Sequence, residues 1–240
     1  MTAAGRVSVI VPVHNESGQL EELFRRFWEG LGEERRSIVE VLLVENGSTD
    51  RTYEACRRLA AEYPGIVLAE RVAEASYGGA VKRGIEVSRG DIVCILECDF
   101  MDIRFLRQAA DIIRAGEADF VVGSKRAEGA EDRRPLLRRL LTAAFNFGLK
   151  LLFRFPGTDT HGLKAVRGEP AKRLILLSRT GGEAFQTELV LLAHRLGFRV
   201  REVPVNVREL RPKRISILRR LPLLARALRE LRASLRRSKW

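Results

Sequence analysis

Two patterns of apolar residues alternate along the first 125 residues of the chain. Short runs rich in β-branched residues, typical of buried parallel strands, are separated by segments in which apolar residues recur with helical spacing. The predicted strands are Val7–Val13, Val39–Val44, Ile66–Ala69, Ile92–Leu96 and Phe120–Val122, and the predicted helices are Gln19–Leu31, Asp50–Glu62, Gly79–Ser88 and Ile103–Ala115. This alternation predicts an α/β fold with a mostly parallel, twisted sheet flanked by helices.

Polar or glycine-bearing segments follow four of these strands. They are His14-Asn15-Glu16, Glu45-Asn46-Gly47-Ser48, Glu97-Cys98-Asp99 and Gly123-Ser124-Lys125. Doubly wound sheets bind their ligands beyond the carboxyl ends of the strands. We therefore expect these four segments to converge on one site.

The second half of the chain is less regular. Its pattern predicts helices over Leu136–Phe153 and Glu183–Leu196, a strand over Phe198–Val205, and a loop with a candidate strand over Gly157–Arg167. Neither an internal repeat nor a low-complexity linker divides it. We predict one domain over residues 1–214 and a basic amphipathic helix over residues 215–240.

An apolar stripe runs along this last segment. Its members are spaced by four and three residues, and they are Ile217, Leu221, Leu224, Leu228, Leu231 and Leu235. Arginines occupy much of the remaining surface of the helix. Two interpretations are open. The helix packs on the body and keeps a solvated basic face, or it lies in a membrane interface where its arginines meet anionic lipid.

The distribution of charge points to an anionic partner. Hydrophobic residues at 45% and charged residues at 31% are typical of a globular protein. The net charge is +12, and residues 201–240 hold 13 Lys and Arg against 3 Asp and Glu. Such a segment on a nearly neutral body indicates lipid headgroups or nucleic acid as partner. Nucleic acid is disfavoured because the apolar stripe implies burial against protein or lipid.

Three features of the sequence favour the cytoplasm. Cys56, Cys94 and Cys98 form no even disulfide framework, and the last two lie in an apolar run where a free cysteine packs as a small hydrophobic residue. Residues 1–5 lack the basic and apolar regions of a signal peptide. No apolar run reaches the ~18 residues needed to span a bilayer. We expect a cytoplasmic protein, peripheral on the inner face of the cell membrane.

An ordered series of motifs runs through most of the chain. In chain order they are Val9–Glu16, Val44–Thr52, Gly78–Gly84, Gly90–Ile92, Glu97–Asp99, Gly123–Lys125, Arg138–Asn146, Asp159–Lys164, Phe185–Glu188 and Glu202–Val205. The series resembles the family 2 glycosyltransferases, and within them the dolichyl-phosphate mannosyltransferase-like branch. One motif alone is a weak signal, whereas the ordered set from about Arg6 to Ser216 is specific. The resemblance implies a GT-A type nucleotide-sugar-binding fold and inverting, metal-dependent transfer of a sugar to a polyprenyl phosphate.

The resemblance also implies a metal site at Glu97 and Asp99. The diphosphate leaving group of a nucleotide sugar develops negative charge, which Mg²⁺ or Mn²⁺ neutralises when carboxylates and phosphate oxygens bind the ion. We predict Asp99 as a direct ligand and Glu97 as its assistant, through the metal or the ribose. Both carboxylates face one ion if the strand persists that far, because residues two apart on a strand point the same way. The alternative is that either is a solvated acid at a strand end.

By the same resemblance, a group of residues lines the base and ribose pocket of the donor nucleotide sugar. The group consists of Pro12, His14, Glu16, Glu45 and Asn46. At the start of the third helix, Gly79 and its neighbour Gly78 permit close approach of the backbone to a ligand. Lys82 is a candidate for contacting the nucleotide, although an exposed helix lysine is the commoner outcome.

Basic residues carry the expected acceptor site. The resemblance matches Lys125, Arg138 and Lys164 to positions that bind the phosphate of a polyprenyl phosphate, and Arg208, Arg211 and Lys213 follow the Glu-Val-Pro segment. A phosphate acceptor is already an anion at neutral pH, so it requires positive charge to hold it in place and no general base. Glu188 stands near the place where other family 2 enzymes keep a base, and we assign it an indirect or sugar-contacting role in catalysis.

The sequence also departs from this branch. Glu97 replaces the first Asp of an Asp-x-Asp motif, Met101 stands at an often polar position, and Lys125 and Lys164 replace arginines, which forfeits bidentate phosphate geometry. Two rival functions stay open: a family 2 enzyme with a hydroxyl acceptor, such as a polysaccharide or small metabolite, and a catalytically silent nucleotide-sugar-binding or scaffold protein. The expected partners are a nucleotide sugar, a polyprenyl phosphate and an anionic membrane surface. An integral membrane protein is a further candidate partner, and nucleic acid is not expected.

Overall fold

The computed structural model describes residues 5–130, 136–182, 184–206 and 226–235. The strands in this part of the chain are β1 (Val7–Val13), β2 (Ile38–Asn46), β3 (Val67–Val72), β4 (Ile92–Ile95), β5 (Phe120–Ser124), β6 (Lys164–Arg167) and β7 (Val200–Pro204). The α-helices are α1 (Leu20–Gly30), α2 (Thr52–Glu62), α3 (Tyr77–Val87), α4 (Ile103–Arg114), α5 (Leu136–Phe153), α6 (Gly168–Leu177) and α7 (Ala184–Arg195). A 3-10 turn over Gly32–Ser37 precedes β2, and residues 226–235 form a further helical segment.

One sheet orders the strands β3-β2-β1-β4-β6-β5-β7. The first four strands in the chain pair in parallel, and β7 is parallel to β5. Strand β6 runs antiparallel to both of its neighbours, so Lys164 at its start lies opposite Ile95 of β4 and Val122 of β5. The carboxyl ends of the parallel strands and the beginning of β6 therefore meet at one edge of the sheet. The predicted mostly parallel α/β fold is confirmed.

Hydrophobic layers cover both faces of the sheet. Every residue of β1 is buried, and its side chains alternate between the two layers. The first layer is formed with α1, α2 and α4, and it joins Val9 and Val11 to Phe24, Leu59 and Phe105. The second is formed with α3, α6 and α7 and the segment 226–235, and it joins Ile10 to Ile85, Leu174, Leu189 and Leu231. Burial on both faces explains why the strands read as continuous apolar runs.

The structure corrects several predicted boundaries. Strand β2 continues as far as Asn46, beyond the predicted end at Val44. Strand β4 ends at Ile95 and does not persist to Glu97 and Asp99, so the two carboxylates do not share a face of one strand. The candidate strand in the loop 157–167 is confirmed as β6, whereas helix α6 was not predicted.

The two amphipathic helices of the second half differ in what they bury. Helix α5 leaves large apolar side chains open to solvent: Leu136 is 68% exposed, Leu140 58%, Phe147 67%, Leu151 72% and Leu152 48%. In the segment 226–235, by contrast, Leu231 and Leu235 are buried in the second layer, and Leu228 packs against it. The described part of the predicted stripe therefore packs on the body and leaves arginines outside. The remaining part of the stripe and the predicted boundary at 214/215 lie outside the described residues.

None of the helices in the described ranges combines the length and the apolar character that crossing a bilayer requires.

Candidate active site

The loops after β1 and β2 are bonded to each other at the carboxyl edge of the sheet. The Nδ1 atom of His14 lies 2.7 Å from the backbone oxygen of Asn46, and the Nδ2 atom of Asn15 lies 3.1 Å from Nε2 of the same imidazole. These contacts assign the proton to Nδ1 and leave Nε2 as an acceptor. Asn15 has a φ of 54° and accepts a hydrogen bond from the backbone N–H of Thr49 at 2.9 Å. His14 is thus an exposed but oriented side chain at this edge.

The remaining predicted nucleotide contacts near these loops differ in exposure. Pro12 is buried within β1, and Glu16 is half-buried with its backbone N–H donating to the Thr52 hydroxyl at 2.8 Å. The side chain of Gln19 donates to the Glu16 carboxylate. The contact of Pro12 and of Glu16 with a nucleotide stays a prediction.

Glu45 and Asn46 hold neighbouring loops of the protein. The Glu45 carboxylate is fully buried, pairs with Nε of Arg71 at 2.7 Å and accepts a hydrogen bond from the backbone N–H of Ser48. The Oδ1 atom of Asn46 accepts the backbone N–H of Ser76 at 2.5 Å. These side chains fix the geometry of the pocket edge, and their predicted contact with the nucleotide remains a prediction.

A tight turn follows β4 and carries the predicted metal ligands. The backbone oxygen of Glu97 accepts the N–H of Phe100 at 2.9 Å, which closes the turn over Glu97-Cys98-Asp99-Phe100. Oε1 of Glu97 accepts the Tyr77 hydroxyl at 2.9 Å and Nε2 of Gln186 at 3.3 Å. Burial raises the pKa of the Glu97 carboxyl, the Tyr77 hydrogen bond and the Lys164 charge oppose this, and the Asp99 charge adds to it. The turn therefore keeps the carboxylates of Glu97 and Asp99 close enough for the charge of one to affect the pKa of the other, although the strand has ended.

Asp99 has the properties of a cation ligand. Its carboxylate is exposed at the carboxyl edge, and among the residues that the structure describes none donates a hydrogen bond to it. The same described ranges contain no cluster of three or more His, Cys, Asp or Glu arranged around one ion. Two carboxylates are enough for Mg²⁺ or Mn²⁺ when substrate phosphates complete the coordination. The donor set therefore fits a metal that arrives with a nucleotide diphosphate.

Two predicted lysines lie beside this turn. Lys164 is 1% exposed, and its Nζ donates to the backbone oxygen of Gly162 at 2.8 Å and to Oε1 of Gln186 at 2.9 Å. Burial lowers the pKa of Lys164 to about 8, although the charges of Glu97 and Asp159 oppose the decrease. Lys125 is half-buried, and its positive charge acts on both Glu97 and Lys164. The structure thus brings Glu97, Asp99, Lys125 and Lys164 together.

The glycines at the start of α3 approach the protein's own backbone. The N–H of Gly78 donates to the oxygen of Gly181 at 2.7 Å, and a Cβ at Gly78 would lie 2.6 Å from that oxygen. The N–H of Gly79 donates to the side chain of Ser76 at 3.1 Å, which caps the helix. The close approach predicted from this pair therefore serves a loop contact, and the contact of Gly79 with a ligand stays a prediction.

Lys82 is directed toward the protein interior. Its Nζ donates to the backbone oxygen of Ser178 at 3.1 Å and lies over the ring of Phe185, 5.4 Å from the ring centre. Burial lowers the pKa of this lysine. Lys82 is therefore not freely solvated, and its predicted contact with the nucleotide stays a prediction.

Glu188 is also enclosed. It is fully buried on α7 and accepts hydrogen bonds from the backbone N–H groups of Arg179 and Thr180, from the Thr180 hydroxyl at 2.6 Å and from the Ser234 hydroxyl. These contacts leave its carboxylate engaged with the protein. The indirect role and the sugar contact predicted for Glu188 both stay predictions.

Four predicted acceptor residues cannot be placed. Arg208, Arg211 and Lys213 lie outside the described residues, and Arg138 belongs to α5 with a side chain outside the described part. Sequence reasoning missed Tyr77 and Gln186, which hold Glu97. Gln186 stands in the motif Phe185–Glu188, but the spacing of that motif gave no sign that this residue bonds the carboxylate in the turn after β4.

A cationic cleft opens beyond the end of β5. It has a volume of about 250 Å³ and is lined by Arg126, Ala143, Asn146, Phe147, Lys150 and Thr158. Arg126 directly follows Lys125, and the Thr158 hydroxyl is bonded to that of Ser124 at 2.8 Å. A second cleft of about 560 Å³ lies between the loop 179–182 and the segment 226–234. Neither cleft is lined by Glu97 or Asp99, and the smaller one adjoins Lys125 through the neighbouring residue Arg126.

The mostly parallel sheet with its reversed strand β6 and helices on both faces has the architecture of the GT-A type glycosyltransferase domains. Residues 8–172 match the family described as Glycosyl transferase family 2, and the chain belongs to that family.

Similar proteins cover most of the chain. Glycosyltransferase AglD of Haloferax volcanii is 33% identical over 209 residues, which are 85% of this chain and 34% of that protein. Dolichyl-phosphate beta-glucosyltransferase ALG5A of Trichomonas vaginalis is 26% identical over 225 residues, 88% of this chain and 68% of that protein. This chain thus spans about one third of AglD. Among solved structures, the mannosyltransferase PcManGT of Pyrobaculum calidifontis, in complex with GDP-Man and Mn²⁺, has a TM-score of 0.69 at 24% identity, with 100% of this chain and 66% of that chain covered.

Proposed function

We propose that the protein transfers a sugar, with inversion, from a nucleotide diphosphate sugar to a polyprenyl phosphate at a membrane surface. The observation that carries this proposal is the cationic cleft lined by Arg126 and Lys150, which adjoins Lys125 in sequence and shares Phe147 with the exposed apolar face of α5. The relatives support the acceptor class, because the similar proteins of Trichomonas vaginalis and Dictyostelium discoideum are named dolichyl-phosphate beta-glucosyltransferases.

The donor end of the site is assigned to the carboxylate turn. Asp99 would hold Mg²⁺ or Mn²⁺ directly, and Glu97, oriented by Tyr77 and Gln186, would assist through the ion or the ribose. The bound ion supplies neutralisation of the charge that develops on the departing nucleotide diphosphate. His14 stands exposed at the same edge and is assigned to the nucleotide.

The acceptor end is assigned to the lysines and the cleft. A phosphate monoester needs no general base, so the protein has to hold it in line with the anomeric carbon. Lys125 and the cleft residues Arg126 and Lys150 supply positive charge for that purpose. Lys164, buried beside Glu97, contributes a further positive charge between the donor and the acceptor.

The membrane contact is assigned to α5. Its face bears Leu140, Phe147 and Leu151, and exposed basic residues, Lys150 among them, border it. An apolar face bordered by cations matches an anionic membrane interface. The cleft shares Phe147 and Lys150 with this helix, so a lipid-linked phosphate would enter directly from the membrane. We include the cytoplasmic face in this proposal because the three cysteines are free and buried, which is typical of a reducing compartment.

A panel of labelled nucleotide sugars tests this function. Each sugar is incubated with the protein and a short polyprenyl phosphate, with and without chelator, and the product is partitioned between organic solvent and water. We expect an organic-phase product for one sugar, lost on chelation and reduced by about 100-fold or more in Asp99→Asn. An aqueous product would instead indicate a hydroxyl or soluble acceptor. No turnover, together with no Mn²⁺-dependent binding of nucleotide diphosphates in calorimetry, would indicate a silent binding protein.

A further inference from the structure

Glu188 joins two segments that are far apart in the sequence. Its oxygens accept the backbone N–H groups of Arg179 and Thr180 at 2.9 to 3.1 Å, and on the other side they accept the hydroxyl of Ser234. A fully buried carboxylate with four donors is a strong anchor, because removing it leaves several polar groups unsatisfied. The loop 179–182 and the helical segment 226–235 are therefore fastened to α7 at one point.

The loop that Glu188 anchors supports the beginning of α3. The oxygen of Gly181 accepts two hydrogen bonds at 2.7 Å each, from the backbone N–H of Gly78 and from the hydroxyl of Ser76. There is no space for a side chain at this contact, since a Cβ at Gly78 would lie 2.6 Å from the same oxygen. Lys82 adds a third link by donating to Ser178. A displacement of the loop would therefore displace the start of α3.

The beginning of α3 in turn positions both ends of the donor site. The Tyr77 hydroxyl donates to Oε1 of Glu97 at 2.9 Å, and the backbone N–H of Ser76 donates to Oδ1 of Asn46 at 2.5 Å. On α7 itself, Gln186 bonds Glu97 and Lys164. Glu97 is thus oriented by two residues whose own positions depend on α7 and on the loop that α7 anchors.

We propose that Glu188 is a positioning residue, which fastens the loop 179–182 and the segment 226–235 so that α3 presents Tyr77 to Glu97. Glu188 reaches the site through Gly181 and α3, and it neither contacts the substrate nor exchanges a proton with it. Docking of the segment 226–235 is consequently coupled to the affinity of the donor site for a metal-bound nucleotide. The activity readout of this proposal rests on the proposed function, whereas its binding and exchange readouts do not.

Replacement by glutamine separates positioning from proton transfer. In Glu188→Gln the amide oxygen retains the acceptor position for Arg179 and Thr180, and the amide nitrogen donates to the Ser234 hydroxyl. We expect the Mn²⁺-dependent dissociation constant of a nucleotide diphosphate, and kcat where turnover is measurable, to stay within about twofold of the wild type. Glu188→Ala removes the anchor, and it should weaken that binding by about tenfold or more. Hydrogen exchange should accelerate at the amides of Thr180 and Gly78.

Milder variants guard against simple unfolding of Glu188→Ala. Ser234→Ala and Thr180→Val each remove one donor to Glu188, and both should accelerate amide exchange at Gly78 and raise the dissociation constant by about two- to fivefold. Glu230→Gln is the matched control, since it makes the same chemical change on an exposed face of the segment 226–235. It should change neither readout.

Two results would overturn the positioning role. One is a Glu188→Gln variant that is as inactive as Glu188→Ala while its exchange rates are those of the wild type, because the carboxylate would then act chemically. The other is unchanged exchange at Gly78 and unchanged nucleotide binding in Ser234→Ala and Thr180→Val. If the acceptor class is wrong but positioning is right, the lipid assay fails while the binding and exchange differences persist.

Discussion

Lys164 is a buried cation at the edge where the site forms. It is held by the oxygens of Gly162 and Gln186, and burial lowers its pKa to about 8. Antiparallel pairing of β6 puts it there, because the first residue of that strand lies opposite the end of β4. A lysine with such a pKa changes its charge close to neutral pH, and perturbed pKa values of this kind are common among residues of functional sites.

Turnover should fall as the pH rises through about 8, because Lys164 then loses its charge in the folded protein. Stability should respond in the opposite direction. Between about 8 and the ordinary value of 10.5 the unfolded chain binds the proton that the folded chain has released, so the free energy of unfolding contributed by Lys164 rises with pH. Lys164→Arg keeps the charge and should shift the fall in kcat to higher pH. Kinetics and urea unfolding on either side of this window measure both effects.

An unchanged pH profile in Lys164→Arg would contradict this role of the lysine. A parallel loss of kcat and stability with rising pH would also contradict it, since the fall in turnover would then reflect unfolding. Lys172→Arg on α6, whose lysine is exposed and paired with Glu169, controls for the exchange of lysine for arginine.

Sequence patterns located the polar residues at the strand ends, but they did not reveal what those residues contact. Asp99, Lys125 and Lys164 were predicted for the site, and the structure brings them together. Glu45 and Glu188 have the same local signature of an acid in a motif, yet both are fully buried and bonded to the protein. Their partners come from distant segments, and local spacing does not encode that kind of contact.

The strands that are buried on both faces of the sheet were predictable from the sequence, because such burial requires apolar residues on both sides. Strands β1 and β2 are covered on both sides, so most of their residues are valine, isoleucine or leucine. Helix α6 escaped prediction because it begins at Gly168 with a proline two positions later, and no side chain caps its first turn. Burial of Leu174 and Ile175 against the second layer stabilises it, and tertiary packing of this kind overrides weak local preference.

Gly84 on α3 tests the packing of helix against sheet. A Cβ at this position would lie 2.6 Å from Cγ2 of Ile10 on β1, so Gly84→Ala should lower the free energy of unfolding by ~1–3 kcal/mol despite the better helix propensity of alanine. Gly148→Ala on α5 is the matched control. Its Cβ would meet Leu228 at an ordinary 3.5 Å, and it should raise the free energy by ~0.5–1 kcal/mol. Denaturant unfolding measures the free energy of unfolding of both variants. If both substitutions change it in the same direction, Gly84 is not closely packed against Ile10.

At the scale of the whole molecule, two helical faces are candidates for contact with a membrane: the apolar face of α5 and the stripe in the segment 226–235. Sequence spacing alone does not distinguish them, because both have helical periodicity and basic neighbours. They differ in how much of each face is covered by the rest of the protein. The described part of the stripe buries Leu231 and Leu235 and shares an anchor with Glu188, whereas α5 leaves Leu140 and Leu151 more than half exposed. The cationic cleft also opens beside α5.

A double variant of α5 tests this orientation on the membrane. Leu140→Glu with Leu151→Glu removes apolar area and adds negative charge to the proposed contact face, so binding to vesicles rich in anionic lipid should weaken by about tenfold or more. Leu176→Glu on α6 makes the same change at a side chain that is 84% exposed, and it should leave binding unchanged. Vesicle sedimentation measures binding, while Mn²⁺-dependent nucleotide binding confirms that each variant is folded. Added salt should weaken wild-type binding without abolishing it, because the apolar contribution is not screened. If Leu176→Glu weakens binding as much as the double variant, a different face of the molecule contacts the membrane.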